Sequence, residues 1–208
     1  MIIAVDGPTA SGKGTIAKAL SAHFGLPHLD TGLLYRAVGR QVALSGGDPD
    51  SQADALAACA FPDSLLADPE LRNEATGGLA SRVSIHPAVR QALYERQRAF
   101  ATQAGGAVLD GRDIGTVIAP EAQAKLFVIA SVSARAQRRF AEMQAQGRDV
   151  ALPAIEADLE ERDRRDRERK LAPLCAAGDA VTLDTSALNR EQAIAAAIAL
   201  VEAARSRG

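Results

Sequence analysis

Nine consecutive residues near the start of the chain, Gly7-Pro8-Thr9-Ala10-Ser11-Gly12-Lys13-Gly14-Thr15, have the types and spacing to hold phosphate groups. Glycines let successive backbone N–H groups converge on phosphate oxygens at a helix N-terminus, while a lysine reaches the outer phosphates. The run follows the apolar Ile2-Ile3-Ala4-Val5 and precedes Ile16-Ala17-Lys18-Ala19-Leu20. That order predicts a strand, a phosphate-cradling P-loop and a helix start. A glycine-rich turn that binds nothing is the bland alternative, and the flanking elements weigh against it. Gly14 stands where the general pattern has a Mg²⁺-binding hydroxyl, with Thr15 one place later, so Thr15 is expected to touch phosphate rather than dominate the metal shell.

A second stretch with chemical potential runs from Glu156 to Lys170, where seven acids stand against six bases. Near-neutrality excludes a nucleic-acid tail. Glu160 with Arg164, Glu161 with Arg165 and Asp163 with Arg167 run acid to base at i,i+4, the order that supports a solvated helix by about 0.2–0.5 kcal/mol per pair. Arg162, Arg165, Asp166 and Arg169 fall at i, i+3, i+4 and i+7, the spacing of a core-facing stripe, yet the stripe is cationic. Guanidinium groups bind phosphate oxygens bidentately and stay charged, so an exposed helix with this face could close over a bound polyphosphate.

Elements must position these residues. Apolar segments predict strands at Ile2–Val5, Ala107–Leu109, Lys125–Ala130 and Ala180–Leu183, with a shorter one at Pro27–Leu29. Helical patterns between them imply right-handed βαβ units and an α/β fold whose parallel sheet binds ligands at the carboxyl ends of its strands. Those ends carry Asp6-Gly7, Asp30-Thr31-Gly32, Asp110-Gly111-Arg112-Asp113 and Asp184-Thr185-Ser186. Residues 46–80, broken by Gly46-Gly47-Asp48-Pro49, Phe61-Pro62, Asp68-Pro69 and Gly77-Gly78, read as an insertion carrying short helices. The alanine-rich run Glu191–Arg205 reads as a final helix against the sheet.

Composition bounds the rest. A chain of 208 residues fits one α/β domain that buries roughly 70% of its unfolded surface. Its two cysteines, Cys59 and Cys175, form no C-x-x-C pattern, which points to a reduced, cytoplasmic protein without a disulfide framework or zinc site. The start lacks a basic n-region, and no apolar run reaches the length of a membrane span, so neither export nor a membrane is expected. A net charge of −2 argues against broad nucleic-acid binding. His23, His28 and His86 share no metal-site spacing and read as surface or packing residues.

Five motifs in order now carry a resemblance. The P-loop, Asp30-Thr31-Gly32-Leu33-Leu34-Tyr35-Arg36, Pro87-Ala88-Val89-Arg90, Asp110-Gly111-Arg112-Asp113-Ile114-Gly115-Thr116 and Glu161-Arg162-Asp163-Arg164-Arg165-Asp166-Arg167-Glu168-Arg169 with Ala172-Pro173-Leu174 resemble the motif set of the bacterial cytidylate kinases. The match runs from Ile2 to about Ser186. It implies the nucleoside-monophosphate kinase fold: a central parallel five-stranded sheet flanked by helices, with core segments 1–36, 82–147 and 171–208, an acceptor-binding insertion at about 37–81 and a lid at about 148–170. Gly147 and Leu171–Pro173 are the expected lid boundaries.

The same resemblance implies transfer of the ATP γ-phosphoryl group to CMP or dCMP, with Mg²⁺ held mainly by nucleotide phosphates and water, in a monomer. Gly7 to Thr15 with Lys13 would bind ATP. Ser81, Arg90 and Asp113 would read cytosine, whose amine suits a carboxylate and whose N3 and O2 suit Arg or Ser. Arg36, Arg112 and Arg169 would contact the acceptor phosphate, Arg162 and Asp166 the ribose, and Thr31, where the family often has Ser, the acceptor sugar or phosphate. Lys13, Arg112, Arg162 and Arg169 would carry the catalysis. Residues 37–80 are shorter than in many members and lack alternating strands, which puts discrimination against UMP in question. A same-fold kinase acting on UMP or a small hydroxy acid, or a P-loop module that binds nucleotide without transfer, remain the alternatives.

Overall fold

A computed structural model of the protein describes residues 1–206. Five strands, β1 (Ile2–Asp6), β2 (His28–Asp30), β3 (Ala107–Gly111), β4 (Ala124–Ile129) and β5 (Val181–Asp184), form one sheet in the order β2-β3-β1-β4-β5. β1 pairs in parallel with β3 and with β4, and β4 with β5. β1 and β3 are buried at every position. Both faces are therefore covered, which explains apolar runs in place of alternation. The chain goes from β1 outward to β2 and back to β3, then crosses β1 to β4, so the strand order reverses at β1, the place where α/β sheets bind ligands.

Eight α-helices complete the chain: α1 (Lys13–Phe24), α2 (Thr31–Leu44), α3 (Gln52–Ala57), α4 (Glu74–Val83), α5 (Pro87–Ala101), α6 (Val132–Ala145), α7 (Leu152–Glu168) and α8 (Arg190–Arg205). Their ends follow local chemistry. The Ser131 hydroxyl accepts from Ala134 N–H to start α6, and Asn189 with Gln192 forms a capping box at α8. Ile16, Ala17 and Leu20 of α1 and Ala193, Ala197 and Val201 of α8 bury their apolar faces with the sheet residues Ile3, Val5, Leu126 and Val128.

The chain divides into two compact units, Met1–Leu29 with Ala101–Gly208, and Asp30–Phe100. The first holds the sheet core, α1, α6, α7 and α8. The second is helical, with three short 3-10 turns at Ala58–Ala60, Asp63–Ala67 and Pro69–Arg72 between α3 and α4. The expectation of short helices and no strands in 46–80 matches what the described residues show there. The last two residues of the expected 171–208 core segment lie outside the described residues.

Candidate active site

The P-loop leaves β1 at Gly7, whose φ is +153° and where an added Cβ would stand 2.0 Å from the Val128 carbonyl oxygen. Only glycine lets the loop pass so close to β4. Several carbonyls of the loop are already engaged. Lys13 Nζ donates to Pro8 O at 3.1 Å, Arg135 Nη1 to Thr9 O at 3.0 Å and Thr185 Oγ1 to Ser11 O at 3.0 Å. With oxygens held by protein donors, the loop offers its N–H groups. Gly12, in the left-handed region, is the N-cap of α1 and brings no side chain to cap it. A helix start of this kind, with its dipole, is the sort of place where anions bind.

Beside the loop, β3 ends in Asp110-Gly111 and runs into Arg112 and Asp113. Arg112 Nη2 donates to Thr9 Oγ1 at 2.7 Å, and its Nε to Asp166 Oδ2 at 2.8 Å. The P-loop, the end of β3 and α7 therefore meet at one guanidinium. Asp113 is buried at the head of a π-helical turn, Ile114–Ile118, and its carbonyl accepts from Val117 and Ile118 N–H at 2.9 and 3.1 Å. Asp6, the last residue of β1, accepts from Ile114 N–H and Gly115 N–H, each at 2.8 Å. Burial outweighs these two bonds, and the nearby Asp113 adds to it, so the Asp6 carboxyl is pushed up to about 7.

Asp110 is buried and pairs with His28 Nε2 at 2.7 Å. His28 has a carboxylate partner that sequence spacing did not reveal. The other Asp110 oxygen lies 3.7 Å from a Cβ built on Gly14, at the start of α1. A carboxylate oxygen there suits a hard cation such as Mg²⁺. The described residues contain no group of three or more His, Cys, Asp or Glu that could enclose a metal by themselves. This donor set fits an ion held mainly through phosphate and water.

Helix α7 corrects one expectation. The Arg162, Asp166 and Arg169 stripe is turned inward rather than exposed, with Arg162 only 3% accessible. Carboxylates of the same segment face its arginines: Arg162 Nη2 lies 2.9 Å from Oδ2 of the partly exposed Asp158, and Arg169 Nη1 lies 3.8 Å from Oδ1 of the buried Asp166. Desolvation opposes ionisation of Asp166, yet Arg112 and Arg169, with Lys13, hold its carboxyl below the usual range. Arg165 stays outward against Glu161, and Arg164 pairs with Glu161 and Glu168 rather than with Glu160. Asp163 lies 3.6 Å from Arg167 but has a closer partner: Arg135 of α6 grips both its oxygens, at 3.0 and 2.6 Å. Left-handed residues bracket the helix, Gly147 at φ +70° and Ala172 at φ +51°.

In the unit Asp30–Phe100, Thr31 is buried at the first turn of α2. Arg36 Nη1 donates to Leu71 O and Asn73 O at 2.8 and 2.9 Å. Arg90 is buried, lies over the Tyr35 ring at 5.5 Å and donates to Ser84 O at 3.4 Å. The Ser81 hydroxyl is a buried group without a hydrogen-bond partner among the described residues. Sequence reasoning missed Asp6, the His28–Asp110 pair and the Arg135–Asp163 pair as parts of the site. Asp6 and Asp110 were visible as strand-end carboxylates, whereas nothing local marked Arg135.

The family profile described as cytidylate kinase matches residues 3–203. A cytidylate kinase of Xanthobacter autotrophicus is 56% identical over 99% of this chain and 99% of its own. One from Azorhizobium caulinodans is 53% identical over 99% of this chain and 100% of its own. Among solved structures, an uncharacterized protein from Eubacterium ventriosum aligns over 100% of this chain and 99% of its own at 16% identity with a TM-score of 0.56, a likeness of fold. Fold, motif order and relatives converge: the chain belongs to the cytidylate kinase family.

Proposed function

We propose that the protein transfers the γ-phosphoryl group of ATP to CMP or dCMP, forming ADP and CDP or dCDP, with the site residues assigned as follows. The P-loop N–H groups and Lys13 hold the ATP phosphates. Arg112 and Arg169 neutralise charge at the acceptor phosphate, and Arg162 with Asp166 orients the ribose. Thr31 and Arg36 serve the acceptor, and Asp113, Arg90 and Ser81 read cytosine. The observation that carries the reading is Arg112, bonded at once to the P-loop and to Asp166 of α7.

Phosphoryl transfer depends mainly on alignment and charge stabilisation. A phosphate monoester is mostly dianionic at pH 7, so the attacking oxygen needs no strong base and Asp113 acts in recognition. Mg²⁺, when bound, would supply charge neutralisation at the donor phosphates. Asp110, beside the start of α1, would help hold it. The segment 148–170 serves as a lid that excludes water, turning at Gly147 and Ala172. The protein works as a cytoplasmic monomer without nucleic-acid or membrane partners. No helix among the described residues is long and apolar enough to cross a membrane.

The test is ADP formation from Mg-ATP with CMP, dCMP, UMP, AMP, GMP or no acceptor, for the parent and Asp113→Ala. CMP and dCMP are expected to be used far faster than the rest. Losing a hydrogen bond to a charged group is worth about 1.5–3 kcal/mol, so Asp113→Ala should shrink the CMP preference over UMP by about 10- to 100-fold. An unchanged preference would remove Asp113 from base recognition.

A further inference from the structure

Asp6 closes β1 and directly precedes Gly7 of the P-loop. Its buried carboxylate gives one oxygen to Ile114 N–H and the other to Gly115 N–H. These amides open the π-helical turn that follows Arg112 and Asp113, and Gly111 lies in register with Asp6 across β1 and β3. N–H groups in the first turn of a helix have no partner within it, and a single carboxylate satisfies two of them at once. Asparagine could accept from only one and would turn an NH₂ toward the other.

We propose that Asp6 is a positioning residue for the acceptor: from the root of the P-loop it grips both amides and fixes Arg112 and Asp113 against the loop that holds the donor phosphates. The inference rests on the roles assigned above to Arg112 and Asp113. Misplacing aligned groups by about 1 Å can cost on the order of 100-fold in rate. A purely structural role predicts something else. It would lower the folded fraction, reducing turnover for every acceptor alike while leaving KM and base preference unchanged.

Asp6→Asn removes one acceptor. Gly115→Ala keeps the carboxylate and instead shifts the turn it holds: its Cβ would crowd Lys125 Cδ at 3.2 Å, while its 3.5 Å approach to Asp6 Oδ2 is ordinary contact. For each folded variant, the Kd for Mg-ATP without acceptor, the KM for CMP and the CMP to UMP ratio of kcat/KM would be measured. Expected are an ATP Kd within about threefold of the parent, a CMP KM raised about tenfold and a ratio reduced about fivefold or more. If Asp6→Asn does not fold, Gly115→Ala decides. A CMP KM and ratio within about twofold of the parent in the folded variants would overturn the inference. Should Asp113→Ala abolish the ratio while the Asp6 and Gly115 variants leave both readouts alone, only the Asp6 role falls. If Asp113→Ala leaves the ratio intact while the CMP KM rises in the Asp6 and Gly115 variants, base reading by Asp113 falls and the placement of Arg112 stands.

Discussion

Asp6 carries a titratable group into a place that water does not reach. Desolvation raises its carboxyl to about 7 against 3.8 for an ordinary aspartate, although the Gly115 and Ile114 amides pull the other way. Between those values the folded chain binds more protons than the unfolded one, so stability falls as pH rises. The contribution is fully present below the unfolded value and is lost as pH passes through about 7. Its size is on the order of a few kcal/mol. The Tm of the parent relative to Asp6→Asn is expected to fall from about pH 5 to about pH 8, and parallel Tm curves would contradict the assignment. At this scale the sequence was legible where chemistry is contiguous, as in Gly7 to Thr15 or Arg112-Asp113. Asp6 and Ile114 are 108 positions apart, and His28 and Asp110 are 82 apart. No local pattern encodes such contacts.

Among the elements, α7 shows how far periodicity reaches. Spacing alone singled out Arg162, Arg165, Asp166 and Arg169 as one face; Arg162, Asp166 and Arg169 turn inward together, whereas Arg165 stays outward against Glu161. It pointed the face outward because a stripe of charge ordinarily seeks water; in the fold Asp158 and Asp166 of the same helix face its arginines, and Arg112, 54 positions away, holds Asp166. The Arg135–Asp163 pair ties α6 to α7 with side chains only 2% and 4% exposed, while the same arginine holds the Thr9 carbonyl of the P-loop. Ala136, Met143, Ile155 and Leu159 pack together as an apolar seam between these helices. Removing one partner of a buried pair leaves an uncompensated charge, which costs about 3–5 kcal/mol. Asp163→Ala is therefore expected to lower the unfolding free energy by about that amount in urea titration, and Arg135→Met with Asp163→Leu to recover much of the loss. A double variant no more stable than Asp163→Ala would show that the charge pair itself is required. The strands were easier to read, because their apolar runs are set by burial on both faces and end where the sheet meets polar turns.

For the molecule as a whole, composition excluded a disulfide scaffold and a broadly basic surface, and the alternation of strand and helix disclosed the parallel sheet. Assembly was less visible: helical and 3-10 segments of Asp30–Phe100 form their own compact unit, and only contacts reveal which of those short pieces pack together. The protein's near-neutral total also conceals how its cations are arranged. Arg112 is bonded to Asp166, Arg169 lies 3.8 Å from the same carboxyl group, and Lys13 acts on it as well. On the roles proposed above, the incoming phosphates of donor and acceptor would displace a carboxylate these cations already face, so binding would be an exchange of counterions rather than the filling of a bare positive field. Ionic strength should then matter less than the number of cations suggests. In Asp166→Asn, ATP titrated without acceptor should bind more tightly at low salt and weaken more steeply as salt is added. Equal slopes would mean that Asp166 does not shield the cations. On that reading the resting protein would meet nucleotide as an ion exchanger rather than as an open positive field.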